Sequence, residues 1–275
     1  DDLFKDSQST ELLEEIGALE IQQKLISTFR EQIDAQIKAK LTFEAQVKDL
    51  QDKIEKLKKL LVITEGKTDI KHIKKAQEKL GIIDVDFEQI DENTQPSGDA
   101  DLKSLLAYLS KIPHANKIIG LFDRDQDSTI KDIEKEHQDY KNYGNNVYAF
   151  CIPVPQFRID KGQTKISIEY LYTDDEIKTP LENGCRLFFG TEFTRQSMRH
   201  NIVEDLILSK PDGKWKDKIN ENNGSQAVFD KYDQNVLAKK DDFAEAILHD
   251  KIQISVQSWE NFRPIFDKIK RICEL

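Results

Sequence analysis

No stretch of about 18 consecutive apolar residues occurs in this chain, and no basic segment leading into an apolar one opens it, so neither a membrane-spanning helix nor a secretory leader is expected. Cysteine is scarce. Cys151, Cys185 and Cys273 are odd in number and form no CxxC pair, which supports neither a disulfide framework nor a structural zinc site. A reducing, cytoplasmic setting follows as the expectation. Positive charge is also short: lysine and arginine total 41 against 51 aspartates and glutamates, a formal charge of -10. That balance excludes a uniformly basic nucleic-acid coat. An enzyme acting on nucleic acid would need a local basic patch, or divalent cations that offset clustered carboxylates. The nucleotide and hydrolase motifs GxGxxG, HExxH and GxSxG are missing, and Gly66-Lys67-Thr68 is no P-loop, because Leu61 stands where its first glycine is required. His72, His114, His137, His200 and His249 are scattered and read as surface or packing residues. The chain opens at Asp1 rather than a methionine, from which we expect a start inside a longer protein or after a removed tag.

What is present begins with a helix signal. Residues 10–60 hold no proline and one glycine, Gly17, while apolar side chains recur at Leu12, Ile16, Leu19, Ile26, Ile33 and Ile37 and again at Val47, Leu50, Ile54, Leu57 and Leu61. Gaps of three, four and seven are helical, and the second stretch alternates like a coiled-coil seam. The register breaks at residues 40–43. The spacing therefore predicts one long bent helix or a two-helix hairpin, whose stripe packs on the following domain or serves a homodimer or inter-domain contact.

At Leu60 the pattern changes. Leu60-Leu61-Val62-Ile63 reads as a buried parallel strand ending in Glu65-Gly66. A helix follows, with Ile70, Ile73 and Leu80 inward, Lys67, Lys71, Lys74 and Lys75 on its flanks, and Gly81 to end it. Further strands are predicted over 85–90, 117–122 and 146–154, the last stopped by Pro153 and Pro155, with a helix over 100–110. From residue 179 the pattern is irregular. Turns at Pro211-Asp212-Gly213 and Asn222-Asn223-Gly224 suggest a small, mainly helical insertion, followed by helix (241–249), strand (252–256) and helix (259–272). The fold class is thus α/β, a parallel sheet flanked by helices. Its domains are a helical segment (1–59), a core (60–178), an insertion (179–235) and a closing helix-strand-helix (236–275). In such sheets functional groups gather at the carboxyl ends of the strands. That rule selects Glu65 after the first strand and Asp123, Asp125 and Asp127 after the third.

In Phe122-Asp123-Arg124-Asp125 two carboxylates stand two residues apart just past an apolar strand, so in an extended backbone both point the same way and can share a cation. Oxygen-only donors favour magnesium, manganese or calcium over zinc. Asp127 reads as a cap of the helix that follows.

These residues carry a resemblance. LVITEGKTD (61–69), followed about 55 residues later by GLFDRDQD (120–127), resembles the TOPRIM domain shared by topoisomerases, bacterial primases, a ribosomal-RNA maturase and the OLD (overcoming lysogenization defect) nucleases. It covers residues 60–171 and a further piece near Lys240. The resemblance implies a Rossmann-like TOPRIM sheet in which Glu65, Asp123 and Asp125 hold divalent metal. Asp69, four residues after the glutamate, is similar to an added metal ligand of the OLD family. Ser167-Ile168-Glu169 resembles its SxE motif on an extended segment, and Lys240 resembles a catalytic lysine before an apolar helix. Implied with these are a DNA endonuclease or nickase using two Mg2+ or Mn2+ ions, with Glu65, Asp123 and Lys240 catalytic and Ser167 a weak ligand, acting in bacterial anti-phage defence with an ATPase domain or subunit. No P-loop lies in this chain, so the ATPase is expected upstream or on a separate subunit. Lys67, Lys71, Lys74 and Lys75 are candidates to steer DNA. The competing readings are a non-hydrolytic metal-binding interaction module and a TOPRIM enzyme acting on RNA.

Overall fold

The computed structural model of the chain describes residues 2–275 apart from 84, 86, 89–95, 97, 136–137, 204 and 210–217, and it divides into two bodies, Asp1–Leu57 and Lys58–Leu275. The first is one helix, α1 (Asp2–Lys58), of 57 residues, about 86 Å long at 1.5 Å per residue. It neither turns back as a hairpin nor breaks at residues 40–43. No proline or glycine interrupts that stretch, and Thr42 Oγ1 donates to the Lys38 carbonyl at 2.9 Å, a bond the helix accommodates. Only the apolar stripe shifts there. Ile26, Phe29, Ile33, Ile37 and Leu41 are exposed on α1, whereas the side chains of Leu12, Ile16, Leu19, Ile54 and Leu57 lie outside the described residues, as do His137 and the Pro211-Asp212-Gly213 turn.

The second body begins with β1 (Leu60–Thr64), α2 (Lys67–Leu80), β2 (Phe87–Glu88), α3 (Asp99–Leu109), β3 (Ile118–Phe122), α4 (Asp127–Ile133), β4 (Lys141–Gly144) and β5 (Val147–Cys151). These strands form one five-stranded sheet in the order β2-β1-β3-β5-β4. The pairs β1/β2, β1/β3 and β3/β5 are parallel; β4 runs antiparallel to β5, so the sheet is mixed rather than wholly parallel. Of the predicted 85–90 strand, only Phe87 and Glu88 pair, and residues 86, 89 and 90 lie outside those described.

Alternation along the central strands divides the core into two layers, because successive side chains point to opposite faces. Val62, Ile119, Leu121 and Phe150 pack on one face with Ile70 and Ile73 of α2, while Ile63, Ile118, Phe122 and Ala149 pack on the other with Leu102 and Leu106 of α3. Gly120 sits where α3 approaches closest. A Cβ there would come within 2.4 Å of Leu106 Cδ1, so an added methyl group would displace the Leu106 side chain.

Beyond β5 come α5 (Gln156–Asp160), a 3-10 turn (Ile168–Leu171) and α6 (Asp174–Ile177). The insertion is not mainly helical. Its described residues form β6 (Phe188–Phe189), β7 (Ile207–Ser209), β8 (Ile219–Asn220) and β9 (Ala227–Phe229), paired as β6/β8 and β7/β9 over a small core of Phe188, Phe193, Leu208, Val228 and Leu237. The chain closes with α7 (Lys240–Leu248), α8 (Val256–Glu260) and α9 (Arg263–Cys273). The strand predicted over 252–256 is absent: Ser255 Oγ accepts the Ser258 N–H at 3.2 Å and caps α8, so that stretch leads into a helix. Among the described residues no helix is long and apolar enough to cross a membrane.

Candidate functional site

The loops at the carboxyl ends of β1 and β3 set the site. Glu65 leaves β1 with its carbonyl accepting the Gly98 N–H at 3.1 Å. Gly98 has φ +106, a conformation that favours glycine, and it opens α3 beside Glu65. The Glu65 side chain reaches across to β3, where its Oε1 accepts the Asp123 N–H at 3.0 Å. Asp123 in turn uses Oδ1 to accept the Ile168 N–H at 3.0 Å. Two backbone bonds between Arg124 and Ile166, of 2.8 and 3.1 Å, hold the residues after β3 extended. Arg124 turns to Glu134, and Asp123 and Asp125 line one cavity together, as the i, i+2 spacing predicts.

Asp69 lies in the first turn of α2, where its Oδ2 accepts the Gly66 N–H at 3.1 Å. It therefore performs the ordinary duty of an acid at a helix start and also faces the site. Ser167 and Glu169 do not share an extended segment. Glu169 lies in the 3-10 turn, which brings the Ser167 hydroxyl onto its Oε2. Glu169 is almost wholly buried, and Lys240 at the head of α7 places Nζ 3.1 Å from its Oε2. Four separated stretches of chain thus supply Glu65 and Asp69, Asp123 and Asp125, Ser167 and Glu169, and Lys240.

Charge is unbalanced here. Burial, then repulsion by Asp69 and Asp125, pushes the Glu65 pKa up to about 8. Burial, then Glu169, pushes Asp69 up to about 7. Burial and then Asp69 raise Asp123 well above the carboxylate range, against the pull of Lys240. Glu169 differs: burial works against its charge, but the Lys240 ammonium and then the Ser167 hydroxyl outweigh that and hold it below the ordinary value. Burial also opposes the charge on Lys240, yet Glu169, Asp123 and Glu221 raise its pKa, so the ammonium is permanent. Behind Glu169, His72 is fully buried against Tyr172, with its pKa lowered by burial to about 4, and is neutral. It is the packing residue its sequence context suggests.

Oxygen donors with too little positive charge to balance them suit a hard divalent cation. Among the described residues, no group of three or more His, Cys, Asp or Glu side chains is gathered into an arrangement that holds a metal ion. The carboxylates instead engage backbone N–H groups and Lys240. A carboxylate has about four lone-pair sites, so these contacts orient the acids without exhausting them, and the donor set fits such a cation in its chemistry.

The lysines of α2 divide. Lys71 pairs with Asp241 at 2.7 Å and with Glu245, and Lys75, 4% exposed, pairs with Asp250 at 2.6 Å and Glu78 at 3.1 Å. Both fasten α2 to α7 and the turn beyond it, so they are not the phosphate-facing cations expected from the sequence. Lys67 lies 3.6 Å from Asp241 and is exposed, as is Lys74. Asp127 makes no cap: Gln126 holds that position without a side-chain bond, and Asp127 pairs with Lys165 at 2.7 Å.

A cavity of about 240 Å³ opens beside Asp123, Asp125, Ser167 and Lys240, and its far wall comes from the insertion, with Lys218, Asn220, Glu221 and Gln226. Sequence reasoning missed that wall. Its strands of two and three residues are too short for periodicity, and nothing local marks residues about 100 positions after Asp123 as neighbours of it. The one local hint is Glu221, whose Oε2 accepts the Lys240 N–H at 3.3 Å and so binds the insertion to the head of α7. Comparison with protein-family models, with curated proteins and with solved structures finds no match.

Proposed function

We propose that this edge of the sheet is the active centre of a metal-dependent phosphodiesterase that nicks or cuts DNA, the activity of the TOPRIM nucleases of the OLD family that the motifs resemble. The observation that carries the reading is that Asp123, Asp125, Ser167 and Lys240 line one polar cavity, with Glu65 bonded to the Asp123 N–H, Glu169 paired with Lys240, and Asp69 close enough to repel Glu65 and Asp123. The five acids would hold Mg2+ or Mn2+, as one or two ions, with the Ser167 hydroxyl a weaker donor. Such ions, when bound, supply an activated water and stabilise charge on the phosphoryl and leaving oxygens.

The chain's own groups have separable roles. Glu65 and Asp123 are oriented by backbone hydrogen bonds before any substrate arrives, which is the preorganisation catalysis needs. Lys240 keeps its proton and offers a fixed positive charge to a phosphoryl group entering the cavity. Glu169 and Ser167 hold that ammonium in place. Lys165, which is paired with the exposed Asp127, and Lys218 line the cavity, and by that position they and not Lys71 and Lys75 are the cations proposed to meet the backbone of the substrate.

The same resemblance motivates a cytoplasmic role in bacterial defence with an ATPase domain or subunit. The exposed apolar stripe of α1 is proposed as an assembly surface, since contiguous exposed apolar side chains mark contact sites. Light scattering should give a dimer for the whole chain and a monomer without residues 1–58; two monomers would remove that proposal. The nuclease reading is tested with supercoiled plasmid. Nicking should occur in Mg2+ or Mn2+, with the cognate ATPase supplied, and stop in EDTA. Inactivity toward DNA with cleavage of RNA would transfer the reading to an RNA enzyme, and inactivity toward both would favour the interaction module.

A further inference from the structure

Among the described residues three buried polar side-chain atoms have no hydrogen-bond partner: His72 Nε2, Tyr143 Oη and Asn220 Nδ2. The His72 atom sits in an aromatic core with Tyr172 and Phe243. Asn220 is different, because it lines the cavity beside Lys240. It is 2% exposed and lies on β8, paired across from Phe188 of β6. The next two residues fasten this strand to the chain entering α7: Glu221 accepts the Lys240 N–H at 3.3 Å, and the Asn222 N–H donates to the Ala238 carbonyl at 2.8 Å. Asn220 therefore sits on a strand that is tied to the chain entering α7, not on a free loop.

A buried donor without a partner is destabilising, and natural folds seldom keep one unless something else satisfies it. The surroundings indicate what would. Lys165, Lys218 and Lys240 bring three ammonium groups to the same lining, while Asp123 and Asp125 stand on the other wall. An acceptor that enters between these walls and suits both an amide N–H and nearby cations is an anionic oxygen. Resting on the phosphodiesterase reading, we propose that Asn220 is a substrate-binding residue, its side-chain amide donating to a non-bridging oxygen of the phosphodiester held beside Lys240. The insertion is then the half of the site that grips the substrate, opposite the acids. An ordered water bridging the amide to the wall is the competing occupant, since the cavity is polar and has room for one.

The two are separated by uniformly 15N-labelled wild-type protein titrated with dimethyl phosphate in magnesium, the Asn220 side-chain amide pair being assigned by its loss in Asn220→Ala. That pair should shift saturably. The Asn220→Ala protein should bind a fluorescein-labelled DNA duplex in calcium about tenfold more weakly and nick plasmid roughly 10²-fold more slowly, and it should melt no lower than wild type, because an unsatisfied buried group has been removed. An amide pair that dimethyl phosphate does not move, unchanged DNA binding, or a lower melting temperature with binding intact would overturn the proposal and leave a structural amide. If Asp123→Asn stops nicking while Asn220→Ala nicks like wild type, the nuclease reading stands and this inference falls. If wild type never nicks yet the Asn220 pair shifts, phosphodiester binding stands and hydrolysis falls.

Discussion

Asp123→Asn should make the protein more stable while abolishing nicking. Alanine at this position would leave the Ile168 N–H without its acceptor, whereas asparagine keeps an oxygen for it and removes only the charge. That charge is repelled by Asp69, Glu169 and Glu65 and attracted by Lys240. Unit charges about 6 Å apart interact by roughly 3 kcal/mol at an effective dielectric of 20, so three repulsions against one attraction leave a gain of about 6 kcal/mol, an upper figure because the acids also shed charge by taking up protons. At about 2–4 °C per kcal/mol for a body of this size, the melting temperature in EDTA should rise by several degrees at pH 8. The sign of the pH dependence follows from a folded pKa well above the ordinary value of 3.8. The wild-type penalty is absent below that value, grows as pH rises, and levels once the folded pKa is passed. The advantage of Asp123→Asn should therefore vanish near pH 4 and be largest in mild alkali. Thermal melts of both proteins across that range, in EDTA, provide the assay. A variant that melts lower than wild type at pH 8, or an advantage that shrinks as pH rises, would refute the crowded-carboxylate reasoning.

Lys240→Met removes the partner of a buried Glu169 and should cost on the order of 3 kcal/mol by urea unfolding, with nicking down by about 10²-fold or more; an unaffected rate would separate Lys240 from the chemistry. Gly120→Ala forces a methyl group to within 2.4 Å of Leu106 Cδ1, so unfolding midpoints should report a loss of about 1–3 kcal/mol, relieved in the double variant with Leu106→Ala if the clash is the cause. Glu176 accepts the Thr173 N–H at 2.7 Å, the Ser255 N–H at 2.6 Å and the Ser258 hydroxyl, which outweigh burial and lower its pKa. Its contribution is present above the ordinary glutamate value and lost as pH falls through the folded one. Glu176→Gln should accordingly cost about 1.5–3 kcal/mol at pH 7 and much less in acid, and an equal cost at both would contradict the assignment.

What was legible in the sequence and what was not have physical reasons. Ile118–Phe122 is buried throughout and Leu60–Thr64 from Val62 onward, and the acids after them are fixed by strand geometry, so Glu65, Asp123 and Asp125 could be placed at the strand ends without a structure. The antiparallel β4 escaped because the predicted strand over 146–154 starts at Asn146, and nothing is assigned before it. Asn145 and Asn146 have φ of 51 and 65, the hairpin turn that such residues favour, and this signal was present in the sequence. The lysines of α2 failed for a different reason: periodicity assigns a face to Lys71 and Lys75 but does not say that Asp241, Glu245 and Asp250 come to meet it. Asn220 and Lys218 belong to contacts between distant segments, for which a single sequence holds no local mark.

The acidic edge is the centre of this account, and manganese binding tests it most directly. Electron paramagnetic resonance of free Mn2+ at pH 8 should lose signal as wild-type protein is added, to a limit of one or two ions per chain, and should lose little with the Glu65→Gln, Asp123→Asn double variant. A full free-ion signal in the presence of excess wild-type protein, or equal binding by the double variant, would contradict the assignment of these carboxylates to a metal centre.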